Sequence, residues 1–414
     1  MKELSQYILH FIKKNFQNGA KPPSLSDETR TYIQHLYKNI KIADTHWKSK
    51  SHPNDIQEYT YDFTKDALPQ GSMYSYINPD IRQMIESRTK MGKKYTFTIR
   101  DQMINAHIVY PFPNTPFSHK ISFSKREQYF KKVLHKIYLW LFIANQMKQK
   151  ECSQELNIYI YMTDLFKTLP DDSNTIIDEI HANTAFTTSC SPKNEIHVFR
   201  EEEWFKVFIH ETFHSFGMDF SHVPAFAEHA NQKIKEIFPV NVELSLFETF
   251  SELFANNMNI LFYLYMNNSK NTEENIAALY EKHLYYEQLF SCFQCSKVLH
   301  HSKLTYADLY QLDSISQKKR DAYKENTNVI AYHVLKSIYI WNMEDVYRWV
   351  LRSNKKSLKF IETQENLDAF LRIFMDHYKD DLYLNKIHQM ENWFQKNKYK
   401  NIENITLCMS VHCA

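Results

Sequence analysis

The chain has 414 residues, of which 43% are hydrophobic and 15% aromatic, and its net charge is +2. That length supplies ample core for more than one domain, and that apolar content excludes global disorder. A balance so near neutral gives no electrostatic reason for a nucleic-acid partner, and the richest apolar run, residues 137–144, is too short to span a membrane.

Residues 1–50 read as two helices separated by the Pro22-Pro23 break. Residues 51–92 are polar, carry Pro53, Pro69, Pro79, Gly71 and Gly92, and read as a loop or linker region. Residues 95–99 and 106–110 alternate and read as paired strands. Ser124 and Glu127 have the spacing of a capping box, opening a helix with Phe130, Val133, Leu134, Ile137 and Leu141 on one face. Three further strands follow at 156–162, 183–189 and 195–200, the last running straight into a helix. Residues 183–189 are the candidate edge strand, where an extended peptide could pair, although an ordinary core strand reads equally well. Beyond Pro239 there is neither proline nor glycine to Ala414, so this part should be nearly all helix, broken at the polar clusters 267–271 and 353–356. The expected organisation is an N-terminal mixed region (1–120), a catalytic core (121–270) and a helical region completing the cleft (271–414).

The six cysteines, Cys152, Cys190, Cys292, Cys295, Cys408 and Cys413, are sparse for a disulfide scaffold. The opening residues lack the apolar stretch of a signal peptide, and the expectation is a cytoplasmic, non-secreted protein. Cys292 and Cys295, followed by His300 and His301, have half of a zinc spacing; the second half is irregular, and buried thiols in a helix are the favoured reading.

The stretch from Glu201 to Gly217 contains His210-Glu211-Thr212-Phe213-His214, the His-Glu-x-x-His pattern of zinc peptidases. On a helix the two histidines share a face, so both imidazoles can reach one Zn²⁺. Glu211 projects about 100° further round, beside the metal, where it can act as a general base. Three acids, Glu201 to Glu203, suit a helix N-terminus. Phe205, Ile209, Phe213 and Phe216 form an apolar stripe, and Gly217 stands where a helix often ends on a positive φ.

A catalytic zinc needs a third protein ligand. In the metzincin spacing that ligand would fall on Phe220, which cannot bind zinc; Asp219 is one residue off. The alternative is a glutamate on a later helix. Glu248 and Glu252 are four residues apart, on one face of an otherwise apolar segment. Carboxylates so placed are expensive to bury without a cation or donor. The assignment is Glu248 as ligand and Glu252 as a partner holding His210, with the swapped roles and Glu228 as alternatives. Tyr332 and His333 are the candidate donors to a developing oxyanion, against a reading as a packed tyrosine and a surface histidine.

His210-Glu-Thr-Phe-His214 followed by Glu248-x-x-x-Glu252 resembles the gluzincin group of zinc metallopeptidases. The wider stretch 156–255 is similar to proteins assigned as metallopeptidases in large cytoplasmic DNA viruses. The resemblance covers roughly residues 156–260 and lacks a further gluzincin motif for the transition-state donor. It implies an α+β fold, with a zincin-like catalytic core of a small mixed sheet plus the motif helix, and a large all-helical C-terminal part. It also implies a Zn²⁺ cofactor, a peptide or protein substrate, and a location in host cytoplasm or virion. Two other readings remain open: an inactive zincin-fold structural or assembly protein, and a helical interaction protein without metal.

Overall fold

The computed structural model describes residues 2–50, 55–63, 65–88, 91–110, 123–267, 273–397 and 401–412. In chain order they form α1 (Lys2–Phe16), α2 (Asp27–Lys50), β1 (Gln57–Asp62), α3 (Pro79–Arg88), β2 (Met91–Ile99), β3 (Gln102–Val109), α4 (Phe123–Ala144), β4 (Glu155–Thr163), α5 (Glu179–Ala182), β5 (Ala185–Thr187) and β6 (Lys193–Arg200). There follow α6 (Trp204–Ser215), α7 (Pro224–Lys235), α8 (Leu246–Asn267), α9 (Glu273–His301), α10 (Ser314–Ala322), a π-helical stretch (Ile330–Leu335), α11 (Lys336–Trp341), α12 (Met343–Arg352), α13 (Gln364–His377), α14 (Asp381–Lys396) and α15 (Ile402–Ile405). The fold is α+β, mostly helical, with one mixed sheet. Among the described residues no helix is long and apolar enough to cross a membrane.

The chain forms two compact units, each discontinuous in sequence. The first, His35–Phe166 with Asn183–Met218, contains the sheet, in the order β1-β2-β3-β4-β6-β5. β1 to β3 are antiparallel neighbours, β3, β4 and β6 run parallel, and β5 closes one edge antiparallel to β6. The parallel step from β3 to β4 needs a crossover, and α4 supplies it. The expected edge strand therefore lies at an edge, although only its residues 185–187 pair. Two elements fall in the region read as linker: β1, whose polar sequence QEYTYD lies on the opposite edge and largely exposed, and α3. α4 starts at Phe123, so Ser124 stands in its first turn and is not its cap.

Alternation along the strands sorts the sheet into two faces. Ile104, Ala106, Ile108, Ile158, Ile160, Ile196 and Val198 are fully buried on one. The other carries a row of paired residues, Lys94, His107, Tyr159, His197 and Phe186. Its rings stack almost flat, His107 on Tyr159 at 4.8 Å and Tyr159 on His197 at 4.7 Å. Beside this row, Glu195 takes hold of the segment before α3. Its carboxylate accepts hydrogen bonds from the Ser72 N–H and hydroxyl, both 2.9 Å, from the Met73 N–H, 3.1 Å, and pairs with His197 Nε2 at 2.9 Å. Gly71 is required here, since a Cβ would lie 2.0 Å from the Glu195 carboxylate. Burial alone would raise the Glu195 carboxyl, but these bonds bring it down to about 2.

The second unit, Met1–Gln34 with Lys167–Ala182 and Asp219–Ala414, is helical. α9 is its hub and touches α1, α8, α11, α14 and the π-helical stretch. Residues 286–299 of α9 are buried without interruption, so the helix is enclosed on all sides there. The expected break at 353–356 is observed, with α12 ending at Arg352; of the break expected at 267–271, residues 268–271 lie outside the described residues.

The Glu195 contacts predict a pH dependence. A carboxyl lowered from 4.5 to about 2 stabilises the fold above its unfolded value, and that stabilisation is lost as pH falls through the folded one. Glu195→Gln should cost about 1–3 kcal/mol near neutral pH, and the gap from wild type should narrow steadily below about pH 4.5. Urea unfolding of both proteins across that range measures it; a gap that does not change with pH would exclude this role for Glu195.

Candidate metal centre

α6 is buried along its whole length, and it carries His210, Glu211 and His214. The acids Glu201 to Glu203 stand just ahead of its first turn, with Glu203 in the left-handed region at φ 56°. Its end is closed by a Schellman arrangement: the Gly217 N–H donates to the His214 carbonyl at 3.1 Å and the Met218 N–H to the Phe213 carbonyl at 2.8 Å. Gly217 has φ +60°, and a Cβ there would also lie 2.9 Å from Cys152 Sγ and 3.0 Å from Gln149 Cγ. The expected helix stop is thus required both by backbone geometry and by close packing.

The neighbour that presses on Gly217 is half of a disulfide. Cys152 and Cys190 are bonded, a pairing that the count of cysteines does not announce. The Cys190 N–H donates to the His214 carbonyl at 3.1 Å, and the Ser153 hydroxyl to the Ser215 carbonyl at 2.8 Å. The loops before β4 and before β6 are so tied to the last turn of α6, the turn that carries His214.

His210 and His214 Nε2 are 3.0 Å apart, with their rings inclined at 75°. Two imidazole nitrogens at this distance form a hydrogen bond or share an ion; tetrahedral zinc with bonds of 2.0–2.1 Å would hold its donors roughly 3.3 Å apart. His210, His214 and Glu248 each offer a ligand atom, and these atoms all lie within 4.8 Å of one another. Two nitrogens and a carboxylate oxygen are a donor set suited to zinc. Among the described residues this is the one such group. Cys292 and Cys295 are buried free thiols, pushed up by burial, and no group with His300 or His301 forms.

Within the helical unit, Glu248 is held in place from the π-helical stretch. The Tyr332 hydroxyl donates to Glu248 Oε2 at 3.1 Å and Asn328 Nδ2 to Oε1 at 3.4 Å. One residue along α8, the Thr249 hydroxyl donates to the Ala331 carbonyl at 3.0 Å. One turn along, Glu252 pairs with Lys336 Nζ at 3.3 Å, both side chains almost completely buried. Glu325 accepts from the Ile330 N–H where the π-helical stretch begins, and burial pushes its carboxyl up to about 7. A π-helical stretch often marks a functional site; here it presents Tyr332 to the carboxylate offered as ligand.

The remaining candidates are placed as follows. Tyr332 is engaged with Glu248, in an orienting position. His333 is buried, not on the surface, and its Nε2 meets no hydrogen-bond partner. Burial, reinforced by the Lys336 and Lys167 charges, holds it well below the usual imidazole range. Asp219 accepts from the Ser221 N–H and hydroxyl and from the Ser251 hydroxyl, and is outside the metal-capable group. Glu228 is exposed on α7 and bonds Gln232. Sequence reasoning missed Asn328 and Lys336. The signal was present in the matched spacings, since Glu248 and Glu252 are four residues apart, as are Tyr332 and Lys336.

Two outcomes follow. Gly217→Ala should cost about 1–3 kcal/mol in chemical unfolding, because it meets both the φ and the Cβ obstacles. Tyr332→Phe removes one hydrogen bond from the ligand carboxylate and should weaken zinc binding roughly 10-fold, read by competition with a chromogenic chelator. Unchanged zinc affinity would show that the tyrosine does not orient Glu248.

No protein-family model matches this chain, and no curated protein and no solved structure does either.

Proposed function

We propose that the chain is a zinc-dependent peptidase of the gluzincin type, with His210, His214 and Glu248 as ligands and Glu211 as general base. The observation that carries this is the meeting of two imidazole nitrogens and a carboxylate within 4.8 Å, the imidazoles coming from a His-Glu-x-x-His helix. Bound there, Zn²⁺ would supply a Lewis acid for the scissile carbonyl and lower the pKa of a coordinated water. Glu211 is buried on the same helix as the two histidines. It takes the proton of the attacking water and delivers it to the leaving amine. Tyr332 and Asn328 fix the direction of Glu248. A zincin-like core is supported by a mixed sheet whose edge strand, β5, is antiparallel and contacts α6. Such an edge can hold an extended peptide by backbone pairing.

A second reading, a metal-holding zincin fold without turnover, is favoured by one specific observation. Of the two side chains expected to serve the oxyanion, Tyr332 is bonded to Glu248 and His333 is enclosed.

Metal content and turnover separate these readings. Purified protein should carry about one zinc per chain by mass spectrometry, lost in a His210→Ala/His214→Ala variant. Glu211→Gln should keep the zinc and lower hydrolysis of a peptide library by roughly 10²–10⁴-fold. Zinc retained by the double histidine variant would refute the site; zinc present in wild type without any cleavage would leave the second reading.

A further inference from the structure

The enclosed part of α9 carries more polar side chains than a helix core has use for: Glu287, Gln288, Ser291, Gln294, Ser296 and Lys297 are all buried. Gln288 reaches the Ile340 carbonyl at 2.9 Å, at the end of α11. Glu287, Gln294 and Lys297 lie at positions i, i+7 and i+10, along one stripe. They meet neither solvent nor another helix backbone. They meet residues 406–412, an irregular segment that is buried throughout.

Its carbonyls are taken one after another. Gln294 Nε2 donates to those of Thr406 and Cys408, and Lys297 Nζ to that of Thr406 at 2.6 Å. Lys336 Nζ donates to the Met409 carbonyl, and Asn259 Nδ2 to that of His412 at 2.8 Å. At its far end Glu287 accepts from the Ser410 hydroxyl at 2.6 Å, the Val411 N–H at 3.0 Å and the His412 imidazole, whose other nitrogen meets His283 Nδ1 at 2.7 Å. At its near end the segment pairs with residues 167–169, with the Leu407 N–H on the Lys167 carbonyl at 3.0 Å.

We propose that α8, α9 and α11 form a receptor groove for an extended peptide, which the chain fills with its own residues 406–412. The donors that hold the segment are side chains, so the helices keep their own backbone bonds whether or not it is seated. An empty groove would leave the Gln294 amide and the Lys297 ammonium without these acceptors and Glu287 without its three donors from the segment, each a substantial cost. Recognition has two parts. Gln294, Lys297, Lys336 and Asn259 read carbonyls and so accept many sequences. Glu287 reads side chains, and selects a hydroxyl followed two residues later by an imidazole. This holds whether or not zinc binds at His210 and His214.

The test is a full-length protein with a specific protease site introduced between Asn397 and Asn401, cut after folding. The fragment from Asn401 onward should co-elute with the body on gel filtration. A fluorescent peptide spanning residues 405–414 should exchange into its place, read by anisotropy. The same peptide with Ser410→Ala and His412→Ala should bind at least tenfold more weakly. The proposal is overturned if the cut protein loses cooperative unfolding, which would make the segment an inseparable core element. It is equally overturned if the fragment leaves and the labelled peptide fails to bind, or if the two peptides bind alike.

Discussion

Burial of α6 on every side is the constraint on which the sheet unit depends. Half of its twelve residues are polar, namely Lys206, His210, Glu211, Thr212, His214 and Ser215, and all are buried. A helix satisfies its own backbone, but such side chains must find partners inside the protein or cost several kcal/mol each. Thr212 turns back to the Phe208 carbonyl, and Ser215 meets Ser153. His210 and His214 face each other with their Nε2 atoms 3.0 Å apart. Two neutral rings can share one proton between facing nitrogens, whereas a cation would use both lone pairs and a carboxylate as well.

α8 presents the complementary problem. Glu248 and Glu252 lie one turn apart in a segment otherwise rich in Phe and Leu, and the chain answers at the same spacing with Tyr332 on the π-helical stretch and Lys336 at the start of α11. The Ala331 carbonyl accepts both the Lys336 N–H of the π turn and the Thr249 hydroxyl. Three contacts at consecutive levels, 249 to 331, 248 to 332 and 252 to 336, lock the two elements in a single register. An acid offered as a ligand must point one way, and this register determines the way it points.

Much of this was legible beforehand because it follows from local rules. Alternation found β2, β3, β4 and β6, the absence of Gly and Pro found the helices beyond residue 240, and Gly217 marked the stop of α6. The spacing of His210, His214 and the Glu248 pair carried the donor set. What stayed hidden depends on contacts distant in sequence. β1 is polar and exposed, so hydrophobic pattern is silent about it, and only pairing with β2 makes it a strand. The Cys152–Cys190 bond joins two loops whose closeness no spacing rule expresses. Tyr332 stands out in the sequence as a polar tip in an apolar run, but that its partner is Glu248 only the fold reveals. His333 is buried by residues distant in sequence, and no local signal says so.

The discontinuity of the helical unit bears on how the chain is made. α1 is made well before its partners, for Phe11 rests on Phe293 and Trp393, and Tyr7 donates to Glu403. Residues 167–182 likewise wait for residues 405–407, their pairing partners. The sheet unit has all of its residues once Met218 is out, and can close during synthesis. The helical unit cannot, because α1 and α9 are sealed by residues made later. Until residues 293–403 are made, the apolar face of α1 lacks these partners, and exposed apolar surface of that kind is what a chaperone covers.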